Sequence, residues 1–199
     1  EVMAVGRTFE EALQKALRMA DPTMPGLVGK ELEFSSLEQE LTHPTDKRIF
    51  AITEALRKGW EVESLHVLTK IDAWFLYKMK NIVKCEQELR GELSKEGLLR
   101  AKQLGFSDQQ IAKLQHFSPE EVRALRKKLG IIPYVKQIDT LAAEYPAQTN
   151  YLYMTYNATS HDVFPTTNSV LVLGSGSYKI GSSVEFDWCC VHAALTASK

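Results

Sequence analysis

Between residues 45 and 130 the chain alternates helix-type apolar spacing with signals that stop or start a helix. Ile49, Ile52, Ala55 and Leu56 share one face and end at Gly59. Val62, Leu65 and Leu68 predict a brief second helix, and Ile71, Trp74, Phe75, Ile82 and Val83 a longer third that runs toward Leu89, with Gly91 as its stop. Leu98, Ala101 and Leu104 predict another, closed by Gly105. Ser107 with Gln110, and Ser118-Pro119-Glu120-Glu121, are capping boxes in which hydroxyl and side-chain oxygen satisfy orphan N–H groups at a helix start. Helices this short are marginal alone and hold only by packing their apolar faces together. This stretch therefore has to be a cluster of short helices around a shared core.

The flanks read differently. Thr8 with Glu11 predicts a further capped helix, with Ala12, Leu13, Ala16 and Leu17 as its apolar face. Residues 21–29 hold two prolines and two glycines, which end that helix and predict a linker and a domain boundary. Beyond Gly130, Tyr151-Leu152-Tyr153-Met154-Thr155-Tyr156 is rich in β-prone and aromatic residues and predicts a strand. Polar, turn-rich residues 157–168 predict a loop, with a second boundary near Ser169. Val170-Leu171-Val172-Leu173 followed by Gly174-Ser-Gly176 predicts a buried parallel strand opening an α/β domain. A last helix is expected from Phe186.

Composition narrows the function. The 199 residues carry 24 Lys+Arg against 25 Asp+Glu, so no global basic field exists to attract nucleic acid or an anionic membrane. The longest apolar runs fall far short of the roughly 20 residues that span a bilayer. Cys85, Cys189 and Cys190 form no framework and suit a reducing compartment, the adjacent pair as small buried hydrophobes. His43, His66, His116, His161 and His192 have no metal-ligand spacing, so no metal site is assigned. The absence of an initiator Met before Glu1, and a helix still unfinished near residue 199, lead to the expectation that this is an internal segment of a longer protein.

Few residues are candidates for chemistry. Gly174, Gly176 and Gly181 lie between a predicted strand and a predicted helix, where backbone N–H groups can cradle an anion, although the spacing is neither a dinucleotide fingerprint nor a P-loop. Glu185 and Asp187 sit where the helix dipole favours acids. The helix pair from Ser107 and Ser118, with Arg123, Arg126, Lys127 and Lys128 on the second helix, has the size of a helix-turn-helix. Basic residues in a last turn are also what the dipole favours, so a packed pair is preferred over a DNA reader. Trp60, Trp74, Phe75 and Tyr77 give the helical region a large aromatic content that predicts self-association.

Three motifs together are specific. Glu1-Val-Met-Ala-Val-Gly-Arg7 through Arg18, Val135-Lys-Gln-Ile-Asp-Thr-Leu-Ala-Ala-Glu144, and Gly181-Ser-Ser-Val-Glu-Phe-Asp187-Trp-Cys resemble carbamoyl-phosphate synthetase, in order and over essentially the whole chain. The likeness is to its large synthetase component, particularly the form fused into the eukaryotic multifunctional pyrimidine-pathway protein. It implies a mainly α chain: residues 1–21 as the tail of the first ATP-grasp half, 22–169 as a helical oligomerisation domain and connector, and 170–199 as the first strand, turn and helix of the second half.

The resemblance also implies function. The family makes carbamoyl phosphate from bicarbonate, ammonia released from glutamine and two ATP. This chain holds neither complete nucleotide site, so no residue is assigned a catalytic role and no cofactor is expected on it; ATP with Mg²⁺ or Mn²⁺ belongs to the complete enzyme. Glu1 and Glu185 correspond to acidic residues, and Ser183 to a small residue, lining the passage that carries intermediates between the halves. Ser177 and Lys179 depart from the proline and arginine usual in the family's glycine turn, and lysine lacks the planar fork of arginine. Implied partners are the remaining ATP-grasp halves, a glutaminase domain or subunit, and a second copy of the chain, with no nucleic acid or membrane. The pyrimidine-pathway likeness implies cytoplasm, the urea-cycle form the mitochondrial matrix. The alternative is a stand-alone helical adaptor.

Overall fold

The computed structural model describes residues 2–29, 32–146, 151–164, 169–173 and 184–198, the side chains of 184–187 excepted. Eight helices precede the strands: α1 (Phe9–Ala20), α2 (Leu37–Thr42), α3 (Arg48–Arg57), α4 (Val62–Thr69), α5 (Ala73–Glu88), α6 (Lys95–Gln103), α7 (Asp108–Gln115) and α8 (Pro119–Lys128). β1 (Tyr134–Gln137) and β2 (Leu152–Thr155) follow, then α9 (Val184–Ala197).

The helix boundaries have visible causes. Ser107 and Ser118 each accept from the backbone N–H three residues on, while Gln110 and Glu121 accept from the cap N–H, so both expected capping boxes form. Asp72 caps α5 by accepting from the Trp74 N–H at 2.8 Å. Ser36 caps α2 through the Gln39 N–H. That helix was not expected, although Ser36-x-x-Gln39 carries the same cap signal.

Helix α5 is the central column. It packs against α1, α3, α4 and α6, while α7 and α8 form a pair that meets α6 through α8 and α1 through α7. Leu76 and Ile82 of α5, Ile52 and Ala55 of α3, Leu65 of α4, Leu98 of α6 and Ile111 of α7 are completely or almost completely buried. Each large apolar side chain contributes about 1.5–3 kcal/mol by leaving water. Leu27 and Val28, in the stretch expected as a linker, are buried in the same core. Across the α3–α5 contact Arg57 grips Glu86 with two parallel bonds, Nε to Oε2 at 2.7 Å and Nη2 to Oε1 at 2.8 Å.

Strands β1 and β2 pair antiparallel, Tyr134 opposite Thr155 and Gln137 opposite Leu152. The sequence reading found β2 and missed β1, whose four residues include Lys136 and Gln137 and carry no apolar alternation. The far edge of β1 is satisfied by the following loop: the Val135 N–H donates to His161 Nδ1 and the Asp162 N–H to the Val135 carbonyl. The Gln137 N–H and Lys136 both donate to the Asp162 carboxylate.

Two expectations are corrected. Residues 170–173 are not a strand, and Leu171 and Leu173 are 84% and 83% exposed. A parallel strand exists only beside neighbours that complete its ladder, and the described strands pair only with each other. Cys189 is exposed and Cys190 half-buried rather than core, because α9 leaves Trp188, Val191 and Leu195 open to solvent. Cys85 is the buried cysteine, and burial pushes its thiol up to about 11, which makes it inert.

Candidate functional site

The most elaborate polar structure joins α1 to the rest of the molecule. Glu11, Gln14, Lys15 and Arg18 recur at helical spacing and form a second face of α1, beside the apolar face expected from Leu13 and Leu17. Thr8 caps the helix as expected, but the Glu11 carboxylate does not close the box. Its Oε2 accepts from the Arg7 N–H (3.0 Å), Thr155 Oγ1 (2.9 Å) and Asn157 Nδ2 (3.0 Å), and its Oε1 from Lys15 Nζ (2.8 Å). Lys15 also donates to the carbonyls of Val5 and Met154. Asn157 donates as well to the Gln103 carbonyl. One carboxylate thus ties α1, the end of α6 and β2 together. Burial works to raise its pKa, but the bonds from Lys15, the Arg7 backbone and Asn157 outweigh that and hold it below the usual glutamate value.

A second knot lies one helical turn on. Gln14 and Gln110, both fully buried, face each other: Gln110 Nε2 donates to Gln14 Oε1 (2.9 Å) and to the Val28 carbonyl, and Gln14 Nε2 to the Leu104 carbonyl. Arg18 adds a bond to the Gly105 carbonyl at 2.9 Å. Two glycines make room. At Gly26 (φ +148) a Cβ would stand 2.5 Å from both Gln110 Nε2 and Gln14 Oε1, and at Gly105 (φ +87) 2.9 Å from the Glu11 Cα. Any side chain would push α1 off the body, besides straining the backbone.

A third anchor holds the residue after β2. Asp108 pairs with Lys102 Nζ at 2.7 Å and with Arg126 Nε at 2.9 Å, and the Tyr156 ring lies 5.0 Å from Lys102 Nζ and 5.9 Å from the Arg126 guanidinium carbon. Burial would raise the pKa of Asp108, but the hydrogen bond and charge of Lys102, then those of Arg126, bring it below the ordinary aspartate value. Of the basic residues behind the helix-turn-helix comparison, Arg126 is buried in an ion pair rather than offered to a phosphate backbone, while Arg123, Lys127 and Lys128 are exposed.

The expected aromatic surface is partly realised. Trp74 is 52% exposed, and Phe75 and Tyr77 are also exposed, whereas Trp60 packs against the core. Phe9, Trp74 and Phe75 form a mutual cluster with ring centroids 5.0–5.5 Å apart. Lys78 Nζ sits 5.2 Å from the Trp74 ring, and the Tyr77 hydroxyl donates to Glu63 at 2.6 Å. The result is a braced platform at the junction of α1 and α5.

Glu1, Gly174, Gly176, Gly181 and Ser183, and the side chain of Glu185, are outside the described residues. Among the described residues no cluster of three His, Cys, Asp or Glu could hold a metal ion, and no helix is long and apolar enough to cross a membrane. Sequence reasoning missed the Glu11, Gln14 and Gln110 knots because it sought apolar periodicity; the 11, 14, 15, 18 spacing of polar residues was the available signal.

A closed bundle of short helices, with an aromatic platform and a polar seam to a β-ribbon, is a mainly α domain with appended elements. Comparison with known proteins gives its kinship. The carbamoyl-phosphate synthetase large chain, oligomerisation domain, matches residues 1–130, and the carbamoyl phosphate synthase preATP-grasp domain matches residues 166–199. The chain belongs to the carbamoyl-phosphate synthetase large-chain family. It is 55% identical, over 100% of its length, to the mitochondrial arginine-specific carbamoyl phosphate synthase large chain of Schizosaccharomyces pombe. It is also 55% identical, over 96% of its length, to the multifunctional protein CAD of Squalus acanthias, and 49% identical, over 98%, to the mitochondrial ammonia-type carbamoyl-phosphate synthase of Homo sapiens. The chain spans 18%, 9% and 14% of these relatives respectively. The adaptor alternative is not favoured by this kinship.

Proposed function

We infer that this chain is an internal part of an ATP-dependent carbamoyl-phosphate synthetase, providing self-association and the junction between two ATP-grasp halves. The complete enzyme would convert bicarbonate, ammonia from glutamine and two ATP into carbamoyl phosphate, with Mg²⁺ or Mn²⁺ beside the nucleotides. The observation that carries the interaction role is the exposed pair Trp74 and Phe75, braced by half-buried Phe9, on a helical body that already encloses its own core. Aromatic side chains held rigid at a surface offer contact area at small entropic cost. The Glu11 and Tyr156 anchors support the junction role, since they fix the chain leading to the second half against the helical body.

Glu1, Ser183 and Glu185 remain proposed passage residues, and the segment alone is proposed to be without catalysis. The partners are the adjoining halves, a glutaminase domain or subunit, and another copy of this chain. Cytoplasm is the proposed compartment, with the mitochondrial matrix as the alternative suggested by relatives whose names carry that location. Light scattering over a concentration series tests the interaction role: mass should rise with concentration, and Trp74→Ala with Phe75→Ala should hold it at one chain. A wild-type mass fixed at one chain would overturn it. In the full synthetase, Ser183→Phe should leave bicarbonate-dependent ATP turnover intact while suppressing carbamoyl phosphate; equal loss of both would sink the passage assignment.

A further inference from the structure

A concave site lies where α3, the end of α5 and α7 meet, separate from the aromatic platform and the polar seam. It encloses a cavity of about 120 Å³, well beyond the roughly 10–15 Å³ that one water requires. Arg57, Arg90, Lys113 and His116 line it, with Glu86 as the carboxylate and the Gly29 backbone at its edge. Three of these are permanent cations against one anion.

The charges are not equally spent. Glu86 is 2% exposed and both its oxygens are taken by the fork of Arg57, at 2.7 and 2.8 Å. Arg57 also reaches Glu54 at 3.3 Å, a residue that does not line the cavity. Arg90 approaches Glu86 only to 3.8 Å, beyond hydrogen-bond distance, so among the described residues its guanidinium donors are left over. Lys113 Nζ donates to the Gly29 carbonyl at 2.6 Å and, among the described residues, meets no carboxylate; an ammonium has three donors. That bond reaches back over 84 residues and holds the charge in place. The surroundings are therefore a largely buried Arg57–Glu86 ion pair as a floor, with Lys113 held by the Gly29 carbonyl and the more exposed Arg90 above it. Low-dielectric walls around such a charge excess focus the field and favour a multiply charged anion.

We propose that the Arg57, Arg90 and Lys113 cavity is a binding site for a small phosphate group, either free inorganic phosphate or the phosphate of a monoester. Arg57 is engaged by Glu86, so the guanidinium of Arg90 is the fork that can match tetrahedral phosphate oxygens, and Lys113 adds a point charge. The site is independent of the proposed enzyme activity and stands on the 199-residue chain itself.

Thermal unfolding and titration calorimetry of this chain test it, with inorganic phosphate compared to chloride at matched ionic strength. Phosphate should give saturable binding and raise Tm, and chloride should not. Arg90→Ala combined with Lys113→Ala, both chains at the surface and so compatible with an unchanged circular dichroism spectrum, should weaken phosphate binding at least tenfold. A nucleoside 5′-monophosphate in parallel separates the sources: tighter binding than phosphate identifies an ester, equal or weaker binding the free ion. Absence of saturable phosphate binding, a chloride effect of equal size, or undiminished binding by the folded double variant would each overturn the proposal. Should the double variant fail to fold, Lys113→Gln alone decides the matter by the same tenfold criterion.

Discussion

The helical body and the region beyond residue 131 treat their apolar residues in opposite ways. Through Ile131 most large apolar side chains converge on one buried cluster, with Met3, Val67, Trp74, Phe75, Tyr77 and Phe117 exposed; beyond it, among the described residues, Leu152, Met154, Phe164, Leu171, Leu173, Trp188, Val191 and Leu195 all stand in solvent. Both regions are comparably apolar in sequence, yet among the described residues the second has a single pair of facing elements, β1 and β2, and no helix in extensive contact with them. What covers an apolar residue is decided by neighbours, and the second region has them only where polar anchors at Glu11, Asp108 and Lys15 reach out from the body.

The contrast can be broken most directly by truncation. Leu76→Ala, in the central column, should lower unfolding free energy by about 2–5 kcal/mol, while Leu171→Ala should change it by less than about 0.5 kcal/mol. Urea denaturation of both variants checks this, and similar losses would mean that the outer region is packed in solution. Gly105→Ala comes next: a left-handed backbone position and the approach of α1 should cost on the order of 1–3 kcal/mol, with tryptophan fluorescence and urea midpoints as the readout.

The anchors themselves sharpen the comparison. Glu11→Gln should cost about 1–3 kcal/mol, because Lys15 loses its partner, and should speed amide hydrogen exchange in β2 more than in α5. The carboxyls of Glu11 and Asp108 lie below their reference values of 4.5 and 3.8, so each stabilises the fold above those values and less as pH falls through its lower folded value. Wild-type urea midpoints should therefore drop from about pH 5 downward, and the drop should be smaller in Glu11→Gln. The smallest effect is expected at the platform, where Trp74→Ala should alter stability by less than about 1 kcal/mol while lowering association measured by light scattering.

Much of the helical body was legible because its boundaries are chemical. Ser107, Ser118, Gly59 and Gly105 mark ends that form where their side chains or lack of them demand, and the faces of α3 to α6 follow from apolar spacing. β1 was not legible, since its pairing depends on β2 and on Asp162 rather than on any pattern within Tyr134–Gln137. The buried face of α1 was hidden for a related reason: Gln14 and Gln110 look like surface residues until Gln110 donates to Gln14 across 96 positions and backbone carbonyls accept from both side chains. Residues 170–173 show the reverse, an apolar run that reads as buried strand but has nothing to pair with here.

The Gln14–Gln110 bond also sets a timetable for the nascent chain. Its donors and acceptors are 96 residues apart, and Arg18 waits 87 residues for Gly105. At about 5–20 residues per second, α1 would leave the ribosome roughly 5–20 s before its docking surface exists. Over that interval Leu13 and Leu17, which pack against the core in the finished fold, wait for their cover as well.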